Sequence, residues 1–189
     1  IGRLFIDAVK ANYRPAIVLA LFALAIVLGY EFVPPMTAAL QTLSEWKLHY
    51  GYLYSAVSTA FFIGLVPVLI DQLKPRDREP LLLSSVVFFV LFWGFEGMEV
   101  DALYRLQAAM FGHGTDVVTV FLKVVFDMLL YVPVYAVPTL VLLYQWKDAG
   151  YRVGPVRRDL DRRWYRRRVV PVLVTNWAVW TPTIPMVYL

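Results

Sequence analysis

Two charged residues interrupt a long apolar stretch in the second half of the chain and are the first candidates for chemistry. Lys123 and Asp127 stand four residues apart, and in a helix this spacing places both side chains on one face. Ionisable groups inside a membrane-spanning helix are costly, and they generally pair with one another or line a pathway for ions, protons or solutes. Two interpretations stay open here. The residues are either the polar lining or gating pair of a pore, or a structural ion pair near the membrane boundary, from which the lysine reaches water.

An acidic cluster, Glu96, Glu99 and Asp101, follows another apolar stretch. Two carboxylates three residues apart share a helix face, where they could hold a metal ion or carry protons. The alternative is the solvated end of a helix at the membrane interface. The sequence has no glutamate followed three residues later by a histidine, the helical signature of a carboxylate di-metal centre, so we predict no metal site.

Other familiar catalytic and cofactor-binding patterns are missing from the sequence. There is no cysteine, which excludes disulfides, thiolate metal sites, iron–sulfur clusters and a cysteine nucleophile. The only histidines are His49 and His113, so a histidine metal site or a bis-histidine haem is not predicted. No phosphate-binding glycine loop, nucleophile elbow or zincin motif occurs. We therefore predict no catalytic residue, no cofactor and no enzymatic activity.

The elements that position these residues must be helices, because the composition is typical of a membrane protein. The chain is 60% hydrophobic, whereas a soluble domain is about 45–50% apolar. A helix of about 20 apolar residues crosses the hydrocarbon core of a bilayer. We predict an all-α integral membrane protein, one domain over residues 1–189, with five transmembrane helices, or six if the chain continues past its apolar end. The predicted spans cover residues 15–33, 50–70, 81–104, 117–146 and 169–189.

Prolines, glycines and aromatic residues in these spans predict how the helices are built and packed. The Pro34–Pro35 pair should close the first span, and Pro67 should kink the second span or end it early. Gly94 and Gly97 are small enough to let two helices approach closely. The aromatic side chains near the span ends, Trp177 among them, fit aromatic belts at the membrane interface.

The loops between the predicted spans alternate in their content of lysine and arginine. The segment before the first span, the loop over residues 71–80 and the loop after the fourth span are basic, whereas the other two loops are not. Loops rich in lysine and arginine remain on the cytoplasmic side of a membrane. The pattern therefore predicts an N-terminus on the inner side, in a bacterial inner membrane or a mitochondrial inner membrane.

The most basic stretch lies between the fourth and fifth predicted spans, where residues 147–168 hold nine lysines and arginines. Apolar residues recur there at helical spacing, namely Val153, Val156, Leu160 and Trp164. This predicts an amphipathic helix over residues 153–168, lying on the membrane surface. The predicted contacts to anionic lipid headgroups are Arg157, Arg158, Arg162, Arg163, Arg166 and Arg167. The alternative is that these charges only set the membrane topology of the chain and anchor this helix at the membrane surface. We predict no nucleic-acid partner, because the charges flank apolar spans.

Motifs in the second half of the chain resemble the Mpv17/PMP22 family of small multi-span membrane proteins. Lys-Val-Val-Phe-Asp at 123–127, followed by Pro133, resembles the family's Lys-x-x-x-Asp-Gln…Pro segment. Asn-Trp-Ala-Val-Trp at 176–180 resembles its closing signature, and Tyr-Arg-Leu-Gln at 104–107 resembles its tyrosine-containing loop. The resemblance covers residues 104–189 and implies a helical membrane protein, for which channel-like activity has been proposed in the family.

The chain departs from that family pattern at several polar positions. Met128 stands where the family has glutamine, and Thr181 stands where it has proline. The resemblance is therefore to a divergent relative. Three functional hypotheses follow: a channel-like protein for small solutes, an accessory subunit of a larger membrane complex, and a lipid-modifying enzyme that uses the acidic cluster. The channel would be lined by Lys123, Asp127 and Asn176.

Overall fold

The computed structural model describes residues 17, 21, 22, 24–73 and 82–181, and within these ranges the chain forms helices joined by short turns, without a β-strand. The chain divides into two compact units. The middle unit is Val27–Met110, and the flanking unit combines Ile1–Ile26 with Phe111–Leu189. The single domain predicted from the sequence therefore contains two such units.

The chain turns sharply after its first described helix. Helix α1, Leu24–Phe32, and helix α2, Pro34–Tyr50, meet at 109°. Val33 between them has extended backbone angles, because the ring of a following proline disfavours the helical conformation. Pro34 then opens α2, where its missing N–H costs nothing. The predicted end of the first span at the paired prolines is confirmed, but residues 34–50 form a helix where the sequence predicted a loop.

Two long helices follow, and both are apolar enough to cross a membrane. Helix α3 consists of Tyr52–Thr59, the π-helical Ala60–Leu65 and Val66–Leu73, and helix α4 is Leu83–Phe111. They correspond to the second and third predicted spans. The expectation that Pro67 ends this helix early is wrong, because α3 continues to Leu73. A π-helical segment lies directly before the proline and accommodates its missing N–H.

Helix α5 is the third helix long and apolar enough to cross a membrane, and it corresponds to the fourth predicted span. It consists of Val117–Phe126, the π-helical Asp127–Ala136 and Val137–Asp148. Asp116 caps its start, because the carboxylate accepts hydrogen bonds of 3.1 Å from two backbone N–H groups of the first turn. The cap fixes where α5 begins and therefore which turn carries its charged residues.

The helix predicted over residues 153–168 is interrupted. Helix α6, Val153–Asp159, ends where Leu160 leaves helical backbone angles. Helix α7 then starts as the π-helical Tyr165–Val169 and continues as Val170–Trp180. The basic residues 166–168 thus belong to the helix of the predicted fifth span, because a turn separates them from α6. Residues 182–189 of that span lie outside the described residues.

The three π-helical segments in the described ranges each end two residues before a proline. Those prolines are Pro67, Pro138 and Pro171. A proline has no N–H to donate, and its ring crowds the carbonyl four residues earlier. A π-helical turn pairs each N–H with the carbonyl five residues back, as Val137 does with Val132, and so widens the helix before the ring. The prolines therefore widen these helices without breaking them.

Glycines set the contact between α3 and α4 in the middle unit. A Cβ atom added at Gly97 would overlap the Ser55 carbonyl and lie 2.7 Å from Thr59 Cβ. A Cβ atom at Gly64 would lie 2.8 Å from the carbonyl oxygen of Phe89. Such close backbone approach is possible only for glycine, which confirms the predicted role of Gly97 and extends it to Gly64.

The flanking unit has an apolar core shared by α5 and α7. The buried members of this core are Met128, Val132, Val137, Val141, Val169 and Leu173. Trp164 and Trp177 pack against it, each only partly buried. This core holds α7 beside the π-helical middle of α5, which begins at Asp127, one turn after Lys123.

Candidate functional site

The two charged residues of α5 are buried in the flanking unit. Lys123 lies in the last turn before the π-helical segment and is 7% exposed, and Asp127 opens that segment and is 3% exposed. The backbone N–H of Asp127 donates to the carbonyls of Lys123 and Val124, so the two side chains lie one turn apart. Neither side chain is without a partner. The predicted pair therefore occupies the interior of the unit.

Two prolines make the backbone beside this pair irregular. Pro133 and Pro138 stand five residues apart, which is the spacing of a π-helical hydrogen bond. In a π-helix the carbonyl of Met128 accepts from the backbone nitrogen of residue 133, and the carbonyl of Pro133 accepts from the backbone nitrogen of residue 138. Since proline has no N–H, both carbonyls lose their helical donors. A carbonyl without a donor is costly when it is buried, as at Met128, so a donor from elsewhere stabilises the segment.

Side chains of α7 supply those donors. The indole Nε1–H of Trp177 donates to the carbonyl of Met128 at 2.9 Å. The hydroxyl of Tyr165 donates to the carbonyl of Pro133 at 2.7 Å. These two bonds fix α7 to α5 near the start of the π-helical segment and in its second half. Sequence reasoning placed Trp177 in an interfacial aromatic belt and missed this role, although the five-residue spacing of the prolines was a usable signal.

Asn176 precedes the anchoring tryptophan and is only partly exposed. Its side-chain oxygen Oδ1 is buried and has no hydrogen-bond donor within the described part of the chain. Because Trp177 is bonded to Met128, the residue after Asp127, this amide belongs to the same part of the unit as the charged pair. The structure thus places Lys123, Asp127 and Asn176 in one unit.

A second polar group lies in the middle unit, around the buried carboxylate of Asp101. Its Oδ2 lies 2.8 Å from Lys47 Nζ and accepts a 3.1 Å hydrogen bond from the Ser55 hydroxyl, which itself accepts from Lys47. Its Oδ1 accepts from Arg105 Nε at 3.2 Å, and that guanidinium lies 4.7 Å from the ring centre of Tyr52. Three helices are therefore linked through one carboxylate.

This Asp101 network changes the interpretation of the acidic cluster. Asp101 is engaged by a lysine and an arginine, whereas Glu96 and Glu99 are half-buried on the same helix. In the described ranges no three histidine, aspartate or glutamate side chains are arranged to hold a metal ion. Sequence reasoning missed Lys47 and Ser55, because their contacts to Asp101 join helices that are distant along the chain.

Asp159 organises the basic segment, defined here as residues 152–168. Its carboxylate accepts hydrogen bonds from Gln145 Nε2 at 2.9 Å, from Arg168 Nε at 3.1 Å and from Arg167. Burial acts to raise the pKa of Asp159, but the bonds from Arg168 and Gln145 and the charge of Arg167 outweigh it and lower the pKa. Trp164 Nε1 donates to Gln145 Oε1 at 2.9 Å and so ties the turn to α5.

This network divides the arginines predicted to contact lipid. Arg167 is paired with Asp159 and with Asp161, so its side chain links residues within the basic segment. The others are exposed, and none forms an ion pair with a described acidic residue; they are Arg157, Arg158, Arg162, Arg163 and Arg166. Of the four apolar residues predicted to face the membrane surface, Val156 and Trp164 pack into the protein, whereas Val153 and Leu160 are exposed.

Comparison of the chain with protein-family models, with curated proteins and with solved structures finds no match. The resemblance to the Mpv17/PMP22 family therefore rests on the motifs in the sequence alone.

Proposed function

We propose that the chain is an integral membrane protein, related to the Mpv17/PMP22 family, that passes small solutes along a pathway lined by Lys123, Asp127 and Asn176. The observation that carries the proposal is the burial of this charged pair at the π-helical middle of α5, a helix apolar enough to cross a membrane. Ionisable groups at such a depth commonly mark solute or ion pathways. Irregular helical backbone in transporters commonly lies at the binding site.

The surfaces of the long helices support membrane insertion. In the most apolar 18-residue stretch of each helix, 11% of α3 and 28% of α4 and α5 is buried inside the protein. Leucine, valine and phenylalanine side chains make up most of the rest, including Leu91, Phe121 and Leu129. Soluble monomers rarely expose contiguous apolar patches larger than a few hundred Å². A lipid environment accounts for this surface.

The chemistry of the proposed lining favours small polar solutes that carry hydrogen-bond donors. The buried Oδ1 of Asn176 has no donor among the described residues, and a passing solute or water molecule would supply one. Lys123 and Asp127 add one group of each charge nearby. The lining therefore binds polar solutes without requiring a net charge on them.

Permeability of reconstituted liposomes tests the channel proposal. Liposomes containing the full chain should release small polar solutes faster than empty liposomes. Asp127→Asn should bring release close to the empty-liposome rate, because the substitution keeps the side-chain volume and removes the charge. Asp148→Asn is the matched control, because it removes an exposed carboxylate at the end of α5, which pairs with the neighbouring Lys147.

Two results would contradict the proposal. Wild-type liposomes as tight as empty ones would show that no pathway exists. An equal loss of release in Asp127→Asn and Asp148→Asn would show that the buried carboxylate has no special part in it. Circular dichroism of each variant in detergent separates loss of function from loss of fold.

The Asp101 network favours a second candidate, an accessory subunit of a larger membrane complex. Its carboxylate is bonded to Lys47, Ser55 and Arg105, so these four polar side chains satisfy one another within the middle unit, while apolar side chains are exposed on its helices. Those faces suit other chains as well as lipid. Mass spectrometry after purification in mild detergent tests this role, and a monodisperse single protein would count against it.

A further inference from the structure

We infer that the basic segment binds the headgroup of an anionic phospholipid through its unpaired arginines, and that Arg167 and Arg168 hold the segment in shape instead of contacting lipid. The inference rests on the membrane insertion proposed above but not on the channel. The binding residues assigned are Arg157, Arg158, Arg162, Arg163 and Arg166.

The first step is the uneven pairing of the arginines. Asp159 accepts from both Arg167 and Arg168, and Arg167 Nη1 also lies 3.5 Å from Asp161 Oδ2. No acidic residue of the described chain pairs with the five assigned arginines, although all of them are exposed. Five guanidinium groups within ten residues repel one another unless an anion lies among them. A phosphate ester is the anion that guanidinium groups bind best, through paired hydrogen bonds.

The second step is the fixed conformation of the segment. The Gln145–Asp159 and Trp164–Gln145 hydrogen bonds fasten both sides of the turn to α5. Asp161 accepts from the backbone N–H of Arg163 at 2.9 Å and fixes the turn itself. The unpaired arginines before, within and after this turn are thus presented by a backbone of fixed conformation, which lowers the entropy lost when an anion binds.

The third step identifies the anion as a lipid headgroup. The segment joins the end of α5 to the start of α7, so it lies at the membrane surface if α5 crosses the bilayer. Val153 is 67% exposed and Leu160 is 47% exposed among the arginines. Exposed aliphatic side chains beside cations suit the boundary between lipid headgroups and acyl chains. A soluble phosphate or a nucleic acid offers these side chains no apolar contact.

Two double variants with the same change in charge test the inference. The full chain is purified in a neutral detergent and titrated with dioleoyl phosphatidylglycerol, with dioleoyl phosphatidylcholine as the comparison lipid. Native mass spectrometry counts the lipid bound per protein. Arg157→Gln/Arg158→Gln should weaken phosphatidylglycerol binding roughly 25-fold, the effect expected for two basic residues at an anionic surface. Arg167→Gln/Arg168→Gln should keep most of the binding and should lower thermal stability instead.

Several outcomes would overturn the inference. These are an equal loss of lipid in the two double variants, no preference of the wild-type chain for phosphatidylglycerol, and displacement of the lipid by equimolar inorganic phosphate or by a short RNA. If Arg157→Gln/Arg158→Gln fails to fold, Arg157→Lys/Arg158→Lys keeps the charge and should retain preference for the anionic lipid. Carbonate extraction of membranes tests insertion separately, so a chain that resists extraction but shows no lipid preference contradicts only this inference.

Discussion

The two units solve the same problem in different ways, because each must pack helices that carry few polar side chains. In the middle unit, Gly64 and Gly97 let α3 and α4 approach until backbone meets backbone. In the flanking unit, prolines deprive two α5 carbonyls of their donors, and Trp177 and Tyr165 of α7 supply replacements. The contact in the middle unit therefore depends on side-chain volume, and the contact in the flanking unit depends on hydrogen-bond donors.

Each unit also holds one carboxylate between two cations and a neutral donor. Asp101 is bonded to Lys47, Arg105 and Ser55, and it is buried within a helix apolar enough to span a membrane. Asp159 accepts from Arg167, Arg168 and Gln145 in a segment whose arginines are exposed. The same arrangement joins three helices in the first case and shapes a surface turn in the second.

The largest effect is expected from adding a methyl group where the middle unit depends on volume. Gly97→Ala places a Cβ atom against the Ser55 carbonyl and Thr59, both on the facing helix, and backbone atoms there have little freedom to move. We expect a loss of about 3 kcal/mol in unfolding free energy, the upper part of the usual range for overpacking. Unfolding of the purified chain in detergent, followed by circular dichroism, measures the loss.

Gly154→Ala in α6 is the matched control, because nothing lies within 4 Å of a Cβ atom at that position. It should be close to neutral, because the added Cβ atom meets no neighbour and the higher helix propensity of alanine is offset by the following Pro155. Equal stability of Gly97→Ala and the wild-type chain would contradict the close contact between α3 and α4.

An intermediate effect is expected from removing a donor in the flanking unit. Trp177→Phe leaves the Met128 carbonyl without its indole partner, and a buried acceptor without a donor costs about 2 kcal/mol. The same substitution in a Pro133→Ala background should cost less, because alanine restores the backbone N–H five residues after Met128. Unfolding of the four proteins in detergent gives the coupling energy between residues 133 and 177.

Trp46→Phe serves as the control for loss of an indole, because Trp46 is an exposed tryptophan of the middle unit. It should change stability by less than about 0.5 kcal/mol, as exposed substitutions usually do. Additive effects of Trp177→Phe and Pro133→Ala would show that the indole does not replace the donor that proline removes.

The sequence predicted the parts of the fold that depend on composition along the chain. The second, third and fourth spans were placed because long apolar runs with few charges form helices in an apolar environment. Helix α2 was missed because Lys47 interrupts a weakly apolar segment, and the partner that accommodates this charge, Asp101, lies on another helix. The surface helix predicted over residues 153–168 is too long, because the spacing of apolar residues does not reveal that Asp159 and Asp161 stabilise a turn.

The candidate site was predictable only in part, for a similar reason. The four-residue spacing of Lys123 and Asp127 predicted a shared helix face, and burial of both residues agrees with it. The role of Trp177 was not predicted, because an indole near the end of an apolar run is common at membrane interfaces. The need for the Trp177 donor comes from Pro133 and Pro138. Which carbonyls lose their donors to these prolines depends on whether residues 127–136 form an α-helix or a π-helix.

The smallest effect is expected from titrating Asp159, and it bears on the surface turn of the flanking unit. Its pKa is lowered in the folded chain because the bonds from Arg168 and Gln145 and the charge of Arg167 outweigh the opposing effect of burial. A carboxylate with a lowered folded pKa contributes stability that is present above its unfolded pKa of about 3.9 and is lost as pH falls through the folded value. Melting temperatures of the wild-type chain and of Asp159→Asn, measured from pH 6 downward, should therefore converge at low pH. All other carboxylates are common to both proteins, so their contributions cancel in the difference. A difference in melting temperature that stays constant from about pH 6 to below the usual pKa of aspartate would mean that the arginines around Asp159 do not act through its charge.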